Sequence, residues 1–335
     1  MITSMPKKFS LLGIGNALID SIENVDEQFL IDEGMKKGDM TLIDDATMKD
    51  LSTKMVEPTK QAGGSAANTM ACFASFGGNG AFIGRVGDDK NGNEFAKSLE
   101  EINIYPSLSQ NYDVATGQCM IFVTPDHERT MNTYLGAACD LTPNCIDTEI
   151  ITQSNIIFLE GYLFNNDNAK QAFKQAALIA KNAGNKVALT LSANFCVDIH
   201  REDFQSLVEN DIDILFANEE EITNLCETES LGGALNIIAD KCPLSVITKG
   251  KDGVTIFNQG IRTDVPITEN VEVVDTTGAG DAFAGGFLYG LSQGYNMEQC
   301  GHLGNIAAGH IIADYGPRPR VPLNTLNPYV LCCGF

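Results

Sequence analysis

The chain has 335 residues, of which 44% are apolar and 20% charged, and it contains no Trp. Its 44 acidic residues outnumber 22 Lys and Arg, a formal net charge of −22. That apolar share supports a sizeable core and excludes general disorder, while the acid excess repels nucleic-acid backbones and anionic lipid, so neither partner is expected. A phosphorylated small ligand stays compatible, because a few backbone N–H groups or one metal ion reverse the local field. The length suits two domains or one large α/β domain.

Met1 to Ser10 carries two lysines and leads straight into Leu11-Leu12-Gly13-Ile14-Gly15. This short apolar run predicts a buried first strand and not a secretory leader. Nowhere does an apolar run approach the roughly 20 residues of a bilayer span. The stretch from about Asp20 to Val56 is acidic, with alternating Met40-Thr41-Leu42-Ile43. Ala62-Gly63-Gly64-Ser65-Ala66-Ala67-Asn68-Thr69 then opens a helix that passes Phe76 and stops near Gly77-Gly78. Ile83 to Asp89 reads as a strand ending in a tight turn. The segment from about Val114 to Leu135 reads as a hairpin with its turn at Thr124-Pro125-Asp126.

Four apolar runs follow: Ile156 to Leu159, Lys186 to Leu191, Ile212 to Phe216 and Leu244 to Thr248. Between the first two, Asn168 to Ala183 predicts a helix with Gly184 as its stop. Near-continuous apolar strands separated by helices predict a parallel sheet covered on both faces. In such folds functional residues gather beyond the carboxyl ends of the strands. The two sheet-like stretches, about 17–60 and 113–136, interrupt one core spanning 1–335. They are expected to pair into a small lid; the plainer alternative is two edge strands of the main sheet.

The most informative segment is Asp275-Thr276-Thr277-Gly278-Ala279-Gly280-Asp281, continued by Gly285-Gly286. A strand at Val271 to Val274 is expected to run into this turn, and the turn to open a helix. Small residues there leave N–H groups unshielded at a positive helix end, which makes an anion site. Asp281 is a poor phosphate ligand because like charges repel. It suits a general base that takes a proton from a hydroxyl attacking a phosphoryl group. The plainer alternative is an Asp that stabilises the helix start. In the earlier glycine run, small residues let a ligand approach the backbone, and Asn68 can both donate and accept.

Other motifs are absent. There is no G-x-x-x-x-G-K-[ST] and no G-x-S-x-G, and Leu18 stands where a dinucleotide fingerprint needs its third glycine. Gly13-Ile14-Gly15 is read as a strand end approached closely by another group. His127, His200, His302 and His310 lack ligand spacing and are read as structural or surface residues. The ten cysteines are scattered without metal spacing, which suggests reduced thiols in a cytoplasm. The final Cys332-Cys333-Gly334-Phe335 lacks the aliphatic middle and polybasic flank of a prenylation box, so lipidation is not expected.

With both glycine runs in view, the sequence resembles the ribokinase-like (PfkB) family of sugar and nucleoside kinases, from about Leu11 to Val321. Within it, several stretches are most similar to adenosine kinases: Gly15-Asn16-Ala17-Leu18-Ile19-Asp20, Thr116-Gly117-Gln118-Cys119, Glu128-Arg129-Thr130, Leu191-Ser192-Ala193-Asn194-Phe195 and Asp213 to Glu219. The resemblance implies a three-layer α/β/α core with a mainly parallel sheet plus a small β-sheet lid. It implies an ATP-dependent kinase that uses Mg2+ and phosphorylates the 5′-hydroxyl of a purine nucleoside such as adenosine.

Roles follow from the same resemblance. Asp281 would be the catalytic base, and Gly278, Ala279 and Gly280 the anion hole. Asn16, Asp20, Gly63, Gly64 and Asn68 would hold the acceptor, with Cys119, Arg129 and Phe195 around it; Arg129 would reach toward the phosphates. Asn218 and Glu221 match the N-x-x-E motif that organises Mg2+ through water. Asn218, Thr248, Lys249, Gly250, Gly253 and Asn305 would border ATP. Tyr315-Gly316-Pro317-Arg318-Pro319-Arg320 departs from the usual Gly-Ala or Gly-Cys continuation near a monovalent-cation site, so K+ is left open. Also left open are a sugar acceptor, a catalytically silent nucleotide-binding protein, and the choice of monomer or homodimer, the latter through an exposed lid edge.

Overall fold

The apolar runs sit side by side. In the computed structural model, which describes residues 7–267 and 271–329, they form a nine-stranded sheet. Numbering strands in chain order, its spatial order is β14 (Ile261–Val265), β13 (Val254–Asn258), β12 (Leu244–Thr248), β11 (Ile214–Asn218), β10 (Lys186–Thr190), β9 (Ser154–Glu160), β1 (Phe9–Ile14), β5 (Gly80–Gly87) and β6 (Ile104–Asn111). From β12 to β6 every neighbouring pair is parallel; β13 and β14 add an antiparallel edge. Parallel strands need crossovers, and the helices supply them on both faces. One face buries Phe173, Phe204 and Leu225; the other buries Phe73, Phe95 and Phe287.

A second sheet of five strands runs β3 (Met40–Leu42), β8 (Arg129–Tyr134), β7 (Gly117–Val123), β2 (Leu18–Asn24) and β4 (Thr59–Gly63). The predicted hairpin is β7 paired antiparallel with β8. The first of the two stretches contributes more than strands: helices Glu27–Asp32 and Asp45–Lys54 lie within it. The period of two along β7 assigns its faces. Met120 and Phe122 pack with Leu30, Met48 and Leu51 of those helices, while Cys119, Ile121 and Val123 form a separate cluster on the opposite face.

One expected strand does not form. Val271–Val274 pairs with no strand, and Val273 is 59% exposed. The N–H groups of Val274 and Asp275 instead donate to the Ile312 carbonyl at 2.8 and 3.2 Å. That carbonyl closes helix Met297–Ile312, so the segment satisfies a helix end in place of a sheet edge. No helix among the described residues is long and apolar enough to cross a membrane. Cys332 to Phe335, where a prenylation box was considered, lies outside the described residues.

Helix Ser65–Ser75 lies against helix Ala279–Ser292, with the fully buried Phe73 ring 6.0 Å from Tyr289. This contact sets the two glycine-rich helix starts beside each other. Phe73→Ala is expected to lower the unfolding free energy by about 3–5 kcal/mol in a denaturant titration. A loss below about 1 kcal/mol would show that the interface collapses around the cavity without cost.

Candidate active site

A cavity of about 630 Å3 opens where the parallel strands end. Asn16 follows β1, and Glu160, Thr190, Asn218 and Thr248 close β9, β10, β11 and β12; all five line it. This is the crevice at strand carboxyl ends where open α/β sheets take ligands. The second sheet supplies an apolar wall through Leu18, Met40, Leu42, Cys119 and Met131, extended by Leu135 just past β8. Phe195 completes that wall from helix Asn194–Asn210, its ring 6.0 Å from Tyr162.

The glycine-rich turn forms another wall. Gly278 takes a left-handed φ of 76° as the N-cap of helix Ala279–Ser292. A side chain at 278 would be strained there and would also strike Pro317, 2.5 Å from an added Cβ. Thr276 to Asp281 all line the cavity. The Ala279 N–H donates to the Thr276 carbonyl at 3.2 Å, at the long end of the ordinary range.

Asp281 sits in the first turn of that helix and is gripped from the other glycine run. Ser65 Oγ donates to Oδ1 at 2.6 Å and Asn68 Nδ2 to Oδ2 at 3.2 Å. Burial pushes the Asp281 carboxyl above its ordinary range, against the pull of the Ser65 and Asn68 hydrogen bonds and of Arg318. Asp20, on β2, is buried, and its carboxyl is pushed up to about 7 by burial, opposed by the charges of Arg318 and Arg129. Gly64, the N-cap of helix Ser65–Ser75, lines the cavity, while Gly63 backs onto the Asp20 carboxylate.

Two participants escaped the sequence reading. Glu160 is 1% exposed and ties three segments together. It accepts from Asn16 Nδ2 at 2.6 Å, the Asn16 N–H at 3.3 Å and the Ala66 N–H at 2.8 Å, and burial raises its carboxyl to about 7. An added Cβ at Gly15 would lie 2.3 Å from Glu160 Oε2, so the close approach expected at Gly13-Ile14-Gly15 is to this carboxylate. A lone Glu ending the apolar run Ile156 to Leu159 was the available signal. Arg318 donates from Nε to Asn68 Oδ1 at 3.1 Å, and burial lowers its guanidinium to about 10. The Pro- and Arg-rich segment was visible, but its reach into the interior was not.

Asn218 and Glu221 form a reciprocal helix cap. The Asn218 N–H and Nδ2 donate to the two Glu221 oxygens at 2.9 Å each, and the Glu221 N–H donates to Asn218 Oδ1 at 2.8 Å. The N-x-x-E spacing is therefore first a capping box, which also presents Glu221 to the cavity with its carboxyl raised by burial. Among the described residues no three His, Cys, Asp or Glu cluster as a metal cage.

Several expected residues stand off the cavity lining. Arg129 is paired with Asp275 at 2.7 Å and is not among the residues that line the cavity. Lys249 pairs with Asp264 at 3.3 Å. Gly250 and Gly253 bracket the short turn after β12, and Asn305 donates to the carbonyls of Val265 and Pro266 at 3.3 and 3.1 Å. None of the four histidines lines the cavity. His127 meets the Tyr315 hydroxyl and His302 the Tyr329 hydroxyl.

Comparison with known proteins agrees with this geometry. The profile of the pfkB family of carbohydrate kinases matches residues 31–324. The adenosine kinase of Sinorhizobium meliloti superposes with a TM-score of 0.88 at 40% identity, covering 95% of this chain and 98% of that one. A probable sugar kinase from Rhizobium etli superposes at 0.89 with 39% identity, covering 96% and 98%. The adenosine kinase of Saccharomyces cerevisiae is 27% identical over 92% of this chain and 96% of its own length. A two-sheet α/β fold matched over this span is that of a ribokinase-like nucleoside or sugar kinase, and the chain belongs to the PfkB family.

Proposed function

We propose that the protein transfers the γ-phosphoryl group of ATP to the 5′-hydroxyl of a purine nucleoside, with adenosine as the preferred acceptor. The observation that carries this reading is the gripped Asp281 carboxylate at the mouth of the glycine turn, in one cavity with Asp20. Asp281 takes the hydroxyl proton, the hydroxyl oxygen attacks the γ-phosphorus in line, and the bridging P–O bond breaks to release ADP. The N–H groups of Gly278, Ala279 and Gly280 receive the charge of the transferred group. Asp20, Asn16, Gly64 and Asn68 hold the sugar, Asn68 from beside Asp281.

The choice of nucleoside over free sugar rests on the apolar wall. Leu42, Cys119, Met131, Leu135 and Phe195 offer the face a planar base would cover, and a free sugar would leave it wet. Relatives named adenosine kinase support the same choice, while the Rhizobium etli neighbour keeps a sugar acceptor as the second reading. In this reading the second sheet is the lid that excludes water over the acceptor.

ATP would lie along Asn218, Thr248, Lys249, Gly250, Gly253 and Asn305. Mg2+ usually keeps several waters and binds through one or two carboxylates plus substrate phosphates. A single buried Glu221 with both oxygens already engaged suits such a water-mediated hold. When bound, the ion neutralises charge on the phosphates. The eight described cysteines are free thiols, which fits the reducing cytoplasm this reading assigns.

Incubation with Mg-ATP and a panel of nucleosides and sugars is expected to give turnover of adenosine above all others; turnover of a free sugar with no nucleoside product would overturn the acceptor assignment. Asp281→Asn should keep acceptor binding and lose on the order of a hundredfold or more in kcat, and an unchanged kcat would remove the base. Asp20→Ala should chiefly raise the acceptor KM; a constant KM would place the sugar elsewhere. Because a base works deprotonated and burial raises the carboxyls of Asp281 and Asp20, kcat/KM should fall with falling pH well above the ordinary carboxylate value of about 4. A profile flat down to about pH 5 would contradict this.

A further inference from the structure

One buried ion pair joins the second sheet to the glycine turn. Arg129 opens β8, and its Nη2 reaches Asp275 Oδ2 at 2.7 Å. The side chains are 8% and 5% exposed, so salt scarcely screens them. Both Asp275 oxygens are engaged: Oδ1 accepts the Thr277 N–H at 3.0 Å, and Oδ2 also accepts the Gly316 N–H at 2.9 Å. The next residue, Pro317, is the one pressed against left-handed Gly278. Asp275 thus fixes the turn from in front, through Thr277, and from behind, through Gly316 and Pro317. The same hairpin touches this segment a second time, where the Tyr315 hydroxyl lies 3.0 Å from His127 Nδ1.

A monovalent cation does not fit this arrangement. The carboxylate that faces the 315–320 segment is already neutralised by a guanidinium. The other guanidinium nitrogen, Arg129 Nη1, is buried with no hydrogen-bond partner among the described residues, and a metal ion beside it would add like charge to that donor.

We propose that Arg129 is a positioning residue: a built-in cation, carried by the second sheet, that holds the Thr276–Gly280 turn in its phosphoryl-binding shape through Asp275, in place of a bound monovalent metal ion. This rests on the reading of that turn as the anion hole. It gives the second sheet a duty beyond covering the acceptor, since the turn is braced only while the hairpin sits on Asp275.

The test uses the full chain with Mg-ATP and its acceptor. For the wild type, kcat and melting temperature should be the same when choline replaces potassium and sodium at constant ionic strength. A wild-type kcat or melting temperature that rises specifically with potassium would overturn the proposal. Arg129→Ala should lower kcat on the order of ten- to a hundredfold while leaving the acceptor KM near its wild-type value, and millimolar guanidinium should restore part of the loss. Wild-type kcat in that variant, or a loss that appears only as raised acceptor KM, would also overturn it. Should Arg129→Ala fold poorly, Arg129→Lys keeps the charge and decides the same point, with intermediate kcat expected and a raised KM at unchanged kcat contradicting it. If Asp281→Asn is inactive while Arg129→Ala is fully active, the kinase reading stands and only the role of Arg129 falls.

Discussion

An acidic protein that handles phosphate must keep its own carboxylates from repelling the substrate, and the site depends on how this is done at Asp281. That carboxylate lies one residue beyond the Gly278 to Gly280 turn, where the positive end of a helix would otherwise be free for an anion. Ser65 and Asn68 hold it to one side from a second helix start, and Arg318 reaches the same Asn68. Four acids, Asp20, Glu160, Glu221 and Asp281, carry carboxyls raised by burial around one cavity. Two guanidiniums, Arg129 and Arg318, stand among them, and their charges oppose the rise at Asp20. The net charge of −22 therefore says little about this interior, where cations and N–H donors are placed individually.

The two sheets divide the work. The larger one delivers Asn16, Glu160, Thr190, Asn218 and Thr248 at strand ends, where rigid parallel pairing fixes them. The smaller one has one face closed by two short helices and turns the other, with Cys119 and Met131, over the cavity. Glu160 links the β1 strand end to the start of helix Ser65–Ser75, so two walls of the cavity share a support.

How much of this the sequence disclosed follows from the range of the interactions. Continuous apolar runs announced the parallel strands because burial on both faces leaves no alternation. Glycine runs announced the helix starts because local backbone chemistry demands small residues. The hairpin around Thr124-Pro125-Asp126 was legible for the same local reason. Val271 to Val274 misled because valines favour strands, yet the backbone there is claimed by the carbonyl of Ile312, a partner almost forty positions away. Glu160, Arg318 and the partner of Arg129 were hidden for the same cause: their meaning lies in contacts with Asn16, Asn68 and Asp275, each more than a hundred residues distant in sequence. The N-x-x-E spacing was legible as a motif, but that its two side chains form a reciprocal cap at one helix start was not.

In the proposed reaction the phosphoryl group leaves ATP for a nucleoside 5′-oxygen under the direction of Asp281. Phosphorus NMR of the reaction with adenosine and Mg-ATP reads this directly. A single new phosphate ester coupled to the 5′-methylene protons, absent when Asp281→Asn replaces the wild type, is the predicted result. An ester at another hydroxyl, or the same ester formed at the wild-type rate by the variant, would contradict it.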